Sequence, residues 1–351
     1  MVDLTDFDAD SASNPNNGIF GLPFTEEDSK LIILSVPWEV TVSYKAGTAR
    51  VSERVCHASM QVDLYDVDNP DGWKQGIFLR DADKNVMMKS DYLRKEAELY
   101  INFITEGEDL SDSKFMQKVL RDINEGSEFL NIWVYEQTKD LLDRGKLVGI
   151  LGGDHSAPFG YYKAIAEKHG DFGILQIDAH CDLRESYENL TYSHASVMYN
   201  ALKEIPQLTK LVQAGIRDYS PGEFEFIKNS GGRVVAYFDK NIKERLYEGE
   251  TWKQIVEEII THLPQKVYLS FDIDGLDPKL CPNTGTPVPG GFDIQQVYYL
   301  LRKIIASGRQ LVGFDLNEVG ISPNEWDENV GARVLFKLCN LLIASNDKHA
   351  V

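Results

Sequence analysis

The sequence predicts an α/β protein with a mainly parallel sheet covered by helices on both faces, and three observations carry that prediction. Short apolar runs rich in Val, Ile, Leu and Phe recur without alternating with polar residues, as strands buried on both faces do. Segments of helical period, long enough to be crossover connections, separate most of these runs. The chain is 43% hydrophobic over 351 residues, enough for a large core.

Taken in order, residues 1–30 read as an acidic tail without the basic and apolar stretches of a secretory signal. Strands are expected at Leu31–Val36, 147–151, 173–177, 211–214, Val234–Phe238, 267–271 and 311–314, with an eighth near 61–65. Helices are expected between them, among them 159–168, Trp252–His262 and Ile294–Ala306. The stretch 69–144 differs, showing two helical patterns in succession. In the first, Leu93, Ala97, Tyr100, Ile101 and Ile104 share one stripe behind Ser90 as N-cap; the second covers 112–142 with a break at Gly126. No Pro-rich or Gly/Ser-rich linker flanks them, so they read as an elaboration of a single domain spanning 31–351.

The 36 Lys and Arg against 55 Asp and Glu give a formal charge of −19, which repels phosphate backbones and anionic membrane surfaces. Nucleic acid and membrane are therefore not expected as partners. No run approaches a membrane span, and Cys56, Cys181, Cys281 and Cys339 are too scattered for a disulfide framework. A reducing, cytoplasmic setting is expected.

The chemistry gathers at strand ends. After the run 147–151 comes Gly-Gly-Asp154-His155-Ser, a glycine-permitted turn at the edge where ligands of α/β sheets bind. After 173–177, Asp178, His180 and Asp182 stand at i, i+2 and i+4 and share one face in extended backbone, with Cys181 directed to the opposite, core side. After 267–271, Asp272 and Asp274 repeat the spacing, whereas Asp277-Pro278 reads as a turn. Carboxylates and imidazoles converging at buried strand ends are costly unless a cation neutralises them, and six candidate ligands exceed the needs of one four-coordinate zinc. Two divalent metals with bridging carboxylates fit better, and the oxygen-rich set suits manganese. The alternative is a solvated acidic turn.

Together, in this order, the GGDHS, DAHCD and SFDIDGLDP motifs resemble those of the ureohydrolases, the family of arginases, agmatinases, guanidinobutyrases, formimidoylglutamases and guanidine hydrolases, and the resemblance extends over about 31–342. It implies a three-layer arginase-like fold, two Mn(II) per chain, a homo-trimer or homo-hexamer, and hydrolysis of a guanidino C–N bond with release of urea. By matching positions, His155, Asp178, Asp182 and Asp272 would hold one metal, and Asp178, His180, Asp272 and Asp274 the other. His194 matches the family's proton shuttle and Glu318 its guanidinium acceptor, while Arg217 is expected to serve loop or subunit structure.

Arginases carry an Asn two positions after the last Asp of the second motif, where this chain has Arg184, so the resemblance is to the agmatinase-like branch. Arg184 either pairs with a substrate carboxylate, favouring guanidino or formimidoyl acids, or pairs with Glu185 or Glu188. Trp38 and Tyr44 either wall the pocket for a cation or simply pack. A small pocket walled this way would suit free guanidine, and in that branch Ni(II) can replace manganese. Outside this reaction class stand a zinc amide hydrolase and a non-catalytic binding relative.

Overall fold

The computed structural model describes residues 4, 5, 7–42 and 45–347. Its strands are β1 (Leu31–Val36), β2 (Ile77–Leu79), β3 (Leu147–Gly152), β4 (Phe172–Ile177), β5 (Leu208–Ile216), β6 (Val234–Phe238), β7 (Lys266–Asp272) and β8 (Gln310–Asn317). The helices are α1 (Val51–Ser59), α2 (Lys84–Thr105), α3 (Lys114–Asp143), α4 (Phe159–His169), α5 (Val197–Glu204), α6 (Pro221–Asn229), α7 (Asp239–Tyr247), α8 (Trp252–His262), α9 (Ile294–Ala306) and α10 (Trp326–Asn346). Among the described residues the strands form one eight-stranded sheet ordered β2-β1-β3-β8-β7-β4-β5-β6, parallel throughout.

The apolar runs become strands because both of their faces are covered. Val55, Ile259, Leu300 and Leu335, from α1, α8, α9 and α10, pack into one core, and Leu93, Leu130, Ile165 and Ala201, from α2, α3, α4 and α5, pack into the other. The strand order makes β3, β8, β7 and β4 neighbours, so their carboxyl ends open side by side at one sheet edge. All the motifs found in the sequence lie there.

Three expectations change. The 61–65 run is not a strand: Val62 and Leu64 are buried in a loop, and Ile77–Leu79 supplies the edge strand beside β1. Alternating burial in a short loop imitates a strand pattern. Helix α2 begins at Lys84 behind Asp83, whose carboxylate accepts the Asn85 and Val86 N–H groups, so Ser90 is not its cap. Ser90 lies buried inside the helix, where its hydroxyl accepts the Glu39 N–H at 3.2 Å. Helix α3 runs unbroken through Gly126, because that glycine serves close packing: a Cβ there would stand 2.1 Å from Leu93 Cδ1.

Within the region read as a tail, Ile19, Phe20, Leu22 and Phe24 are buried, and Phe20 stacks edge-on against Phe336 with ring centroids 4.9 Å apart. Among the described residues no helix is long and apolar enough to cross a membrane.

Glu26 ties this segment to the body through Arg80, at 2.7 Å, and Arg144, also at 2.7 Å. The Arg80 bond, with Arg144 beside it, holds the Glu26 carboxyl down to about 2 from an ordinary 4.5. Because the folded value lies below the unfolded one, the stabilisation is complete above pH 4.5 and is lost as pH falls toward 2. Glu26→Gln should cost about 1–2 kcal/mol at neutral pH after solvent screening, read by urea denaturation. The gap to wild type should close as pH drops through that window; a gap of constant size would contradict the assignment.

Candidate functional site

The site starts from β3, whose end turns sharply into the Gly152-Gly153-Asp154-His155 segment. Backbone approach at Gly153 is so close that a Cβ would lie 1.8 Å from the Trp38 carbonyl oxygen. That contact is fixed by the Asp154 N–H donating to Trp38 O at 2.8 Å, and it delivers His155 to the sheet edge, 1% exposed. Around His155 Nδ1 lie Oδ2 of Asp178 at 3.0 Å, Oδ2 of Asp182 at 3.0 Å and Oδ2 of Asp272 at 3.3 Å. On the other side of Asp178, His180 Nδ1 lies 3.1 Å from Asp274 Oδ2 and 3.6 Å from Asp178 Oδ1. The structure thus gathers all six residues singled out as ligands, with Asp178 reaching both imidazoles.

The local geometry differs from the extended arrangement that the spacing implied. Asp182 has a φ of 53°, a left-handed conformation that turns its carboxylate back toward His155. Asp274 lies in a short 3-10 turn, Ile273–Gly275, whose first N–H groups are organised by Asp272: its Oδ1 accepts the Asp274 N–H at 2.8 Å. Cys181 is buried in the helix-covered core, as its alternate facing requires.

Four carboxylates in this space repel one another strongly. Burial, with Asp178 alongside, pushes Asp182 up to about 7, and burial with Asp274 and Asp178 pushes Asp272 well above the usual carboxylate range. His155 Nδ1 and Asp182 Oδ2 are both buried and make no hydrogen bond, although only 3.0 Å separates them. Two groups of ligand-type atoms face a common point and could hold a cation: His155, Asp178 and Asp182, and Asp178, His180 and Asp274.

Beside the cluster opens a cavity of about 480 Å³, lined by His180, Asp182, Arg184, Tyr187, His194 and Tyr219 among others. His194 is oriented by Thr41, whose Oγ1 donates to Asp154 Oδ2 at 3.0 Å and lies 3.2 Å from His194 Nδ1. Since the Thr41 proton goes to Asp154, His194 Nδ1 is the protonated nitrogen and Nε2 keeps its lone pair. Burial keeps this imidazole below its ordinary value despite the Asp154 charge. Glu318 follows β8 in a left-handed conformation, φ 59°, and its Oε1 accepts the His155 N–H at 3.0 Å.

Arg184 lies over the Tyr187 ring at 5.0 Å and 3.9 Å from Glu223, paired with neither Glu185 nor Glu188. Trp38 is fully buried and packs in the core instead of lining the cavity; Tyr44 lies outside the described residues. Arg217 clamps loops, donating to the Asp274 carbonyl at 2.6 Å and the Val288 carbonyl at 2.9 Å.

The arginase-family model matches residues 29–340, which contain the whole sheet and every residue of the cluster. The chain belongs to the arginase family. Members of this family hydrolyse guanidino C–N bonds at binuclear metal centres. An N(1)-aminopropylagmatine ureohydrolase of Thermus thermophilus is 38% identical over 192 residues, which cover 54% of this chain and 60% of that enzyme. Arginase-1 of Homo sapiens is 31% identical over 261 residues, 68% of this chain and 79% of the human one. Proclavaminate amidino hydrolase of Streptomyces clavuligerus shares the fold with a TM-score of 0.72 at 20% identity, covering 95% of this chain and 99% of its own.

Around the arginase-family cluster lies a second layer of buried polar groups that pattern reading did not single out. His155 Nε2 donates to Ser270 Oγ at 2.8 Å, and Ser270 Oγ donates to Asp315 Oδ1 at 3.0 Å, which leaves Nδ1 as the ligand-facing nitrogen; against the cost of burial, the Asp178, Asp182 and Asp272 carboxylates raise this imidazole well above its ordinary value. Burial pushes Asp315 up to about 6. Gln213 donates to Gln176 at 2.6 Å, and Gln176 donates to Asp178 Oδ2 at 2.8 Å. The available signal was polarity inside otherwise apolar strands: Gln176, Gln213, Ser270 and Asp315 interrupt β4, β5, β7 and β8. Thr41 had no such signal.

Gly153→Ala should lower stability by about 2–4 kcal/mol in denaturant unfolding, because the added methyl must displace the Trp38 backbone or the turn itself. A variant as stable as wild type would contradict the close approach.

Proposed function

We propose that this chain is a metal-dependent hydrolase of the agmatinase type that cleaves a guanidino C–N bond and releases urea, with two divalent ions per chain. The observation that carries the reading is the buried convergence of His155 Nδ1 and the Asp178, Asp182 and Asp272 oxygens, continued through Asp178 to His180 and Asp274. These residues fit a pair of ions: His155, Asp178, Asp182 and Asp272 would hold one, Asp178, His180, Asp272 and Asp274 the other. Manganese suits the oxygen-rich set, with nickel the second choice. When bound, such a pair supplies positive charge that brings the pKa of a shared water near neutrality.

The chain's own residues do the rest. His194, neutral because burial depresses it and fixed through Nδ1 by Thr41, presents Nε2 to carry a proton to the departing amine. Glu318 is locked by the His155 N–H through one oxygen, and its other oxygen accepts a guanidinium N–H. A homo-oligomer in a reducing cytoplasm, in keeping with four free cysteines, completes the reading.

One observation favours a guanidino acid over agmatine. Arg184 lines the cavity, and the Glu223 oxygens nearest to it already accept the Leu183 N–H at 3.1 Å and the Ser220 N–H at 2.8 Å. The Arg184 fork therefore retains donors for a substrate carboxylate.

The test is urea release by protein loaded separately with manganese or nickel, on agmatine, arginine, 4-guanidinobutyrate and free guanidine. Asp178→Ala should lose both ions and at least about 10³-fold in turnover, while His194→Asn should keep both ions and lose about 10–10³-fold in kcat. Undiminished urea release from a metal-stripped chain would overturn the mechanism, and silence on the whole panel with two ions bound would overturn the substrate class.

A further inference from the structure

The loop 184–191 forms the outer wall of the cavity, yet it is not self-supporting. Glu188 and Asn189 adopt consecutive left-handed conformations, φ 55° and 62°, which cost about 1 kcal/mol or more each unless the surroundings fix them. At the loop's two ends the Arg184 N–H donates to the Ala195 carbonyl at 3.1 Å and Asn200 Nδ2 to the Thr191 carbonyl at 2.8 Å, and the groups that fix its left-handed centre come from the helical elaboration. Asn189 Nδ2 donates to Tyr100 Oη of α2 at 2.9 Å, and the Thr191 N–H donates to Asn124 Oδ1 of α3 at 2.9 Å. Asn124 Nδ2 returns a bond to the Asn189 carbonyl at 3.4 Å. Inside the loop, Tyr187 and Leu190 pair through their backbones, which presents the Tyr187 ring edge-on to His194, with centroids 6.1 Å apart, and beneath Arg184.

The same helix reaches the other side of the site. Ser90 accepts the Glu39 N–H, and Arg94, one turn on, donates to the Val42 carbonyl. Between those two anchored positions lies Thr41, which orients His194. Ser90 and Tyr100 are ten residues apart, a span of roughly 15 Å along the helix axis. Helix α2 thus joins the segment that aims His194 to the loop that carries Tyr187 and Arg184, and close packing of α3 on α2 at Gly126 and Leu93 makes the two helices one frame.

We propose that α2 and α3 are the positioning frame of the substrate cavity, with Tyr100 and Asn124 as positioning residues that hold the 184–191 loop against the part of the substrate beyond the guanidinium carbon. Neither residue lines the cavity; both act through Tyr187 and Arg184. The inference rests on the urea-releasing reading above, and what it adds is the part that α2 and α3 play in holding this loop.

Two variants test it. Tyr100→Phe keeps the buried ring and removes the acceptor of the Asn189 amide, and Asn124→Ala removes both bonds to the loop. Hydrogen exchange read by mass spectrometry on peptides covering 185–192 should speed up by about tenfold or more in each variant, with peptides from β3 and β4 unchanged. In steady-state urea release, KM for agmatine or 4-guanidinobutyrate should rise about 3–10-fold with kcat within about twofold, and the KM for free guanidine should stay at the wild-type value. Asn124→Asp, which keeps the acceptor for the Thr191 N–H, should recover most of the KM.

Unchanged exchange in 185–192 overturns the frame, as does an equal fall of kcat for guanidine and for the tailed compounds. A wild type that turns over free guanidine alone overturns the assignment of the loop to a tail. A wild type that releases no urea from any of these compounds overturns the proposed function instead, and the exchange experiment still decides whether the frame holds the loop.

Discussion

Mutual repulsion among four buried carboxylates is the constraint on which the rest of this structure depends. Asp178, Asp182, Asp272 and Asp274 are each at most 5% exposed and are brought together by two segments, those at the ends of β4 and β7. In a low-dielectric interior such a group is sustained by protonation or by a cation, and the strong upward push on Asp182 and Asp272 shows how unfavourable full ionisation is without added positive charge. Asp178 moves the other way, because His155 and His180, both raised by the carboxylates around them, outweigh its burial; two imidazolium charges offset only two of the four carboxylates. The proposed pair of divalent ions resolves the conflict with residues already in place.

Much of the surrounding polar architecture serves to aim those side chains. The Asp315, Ser270 and His155 chain orients the imidazole with Nδ1 toward the cluster, and the Gln213 and Gln176 chain fixes one oxygen of Asp178. These groups sit within the sheet, where an unpaired polar atom is expensive, and bonding each to the next offsets most of that cost; Gln213 Oε1 alone in these two chains, apart from the ligand-facing His155 Nδ1, is left without a partner. Thr41 does for His194 what Ser270 does for His155, by a hydroxyl that hands its proton to a buried aspartate, here Asp154. The same logic accounts for the left-handed Asp182 and Glu318, strained positions held by the hydrogen bonds and packing of the cluster.

The sheet and the ligand-bearing turns were legible in the sequence because parallel strands buried on both faces read as predominantly apolar runs, and charged residues at their ends stand out against them. Periodicity also found α8 and α9 at their observed bounds. Three features were misread for local reasons. Val62 and Leu64 alternate in burial without strand pairing, Ser90 has a capping residue's chemistry but is used inside the helix to hold Glu39, and Gly126 resembles a break yet marks a close approach of α3 to Leu93 of α2. The edge strand Ile77–Leu79 is too short for a pattern. Arg184 was legible as a residue near the cluster, but its partners were not, because Glu223 and Tyr187 meet it only through tertiary folding.

The central claim is that the six clustered residues hold two ions with Asp178 and Asp272 between them. The most direct measurement is an anomalous difference map from crystals of the full chain grown with manganese. The account predicts two peaks per chain, one against His155 Nδ1 and the other against His180 Nδ1, with Asp178 contacting both. A single peak, or none in this cluster, would contradict it.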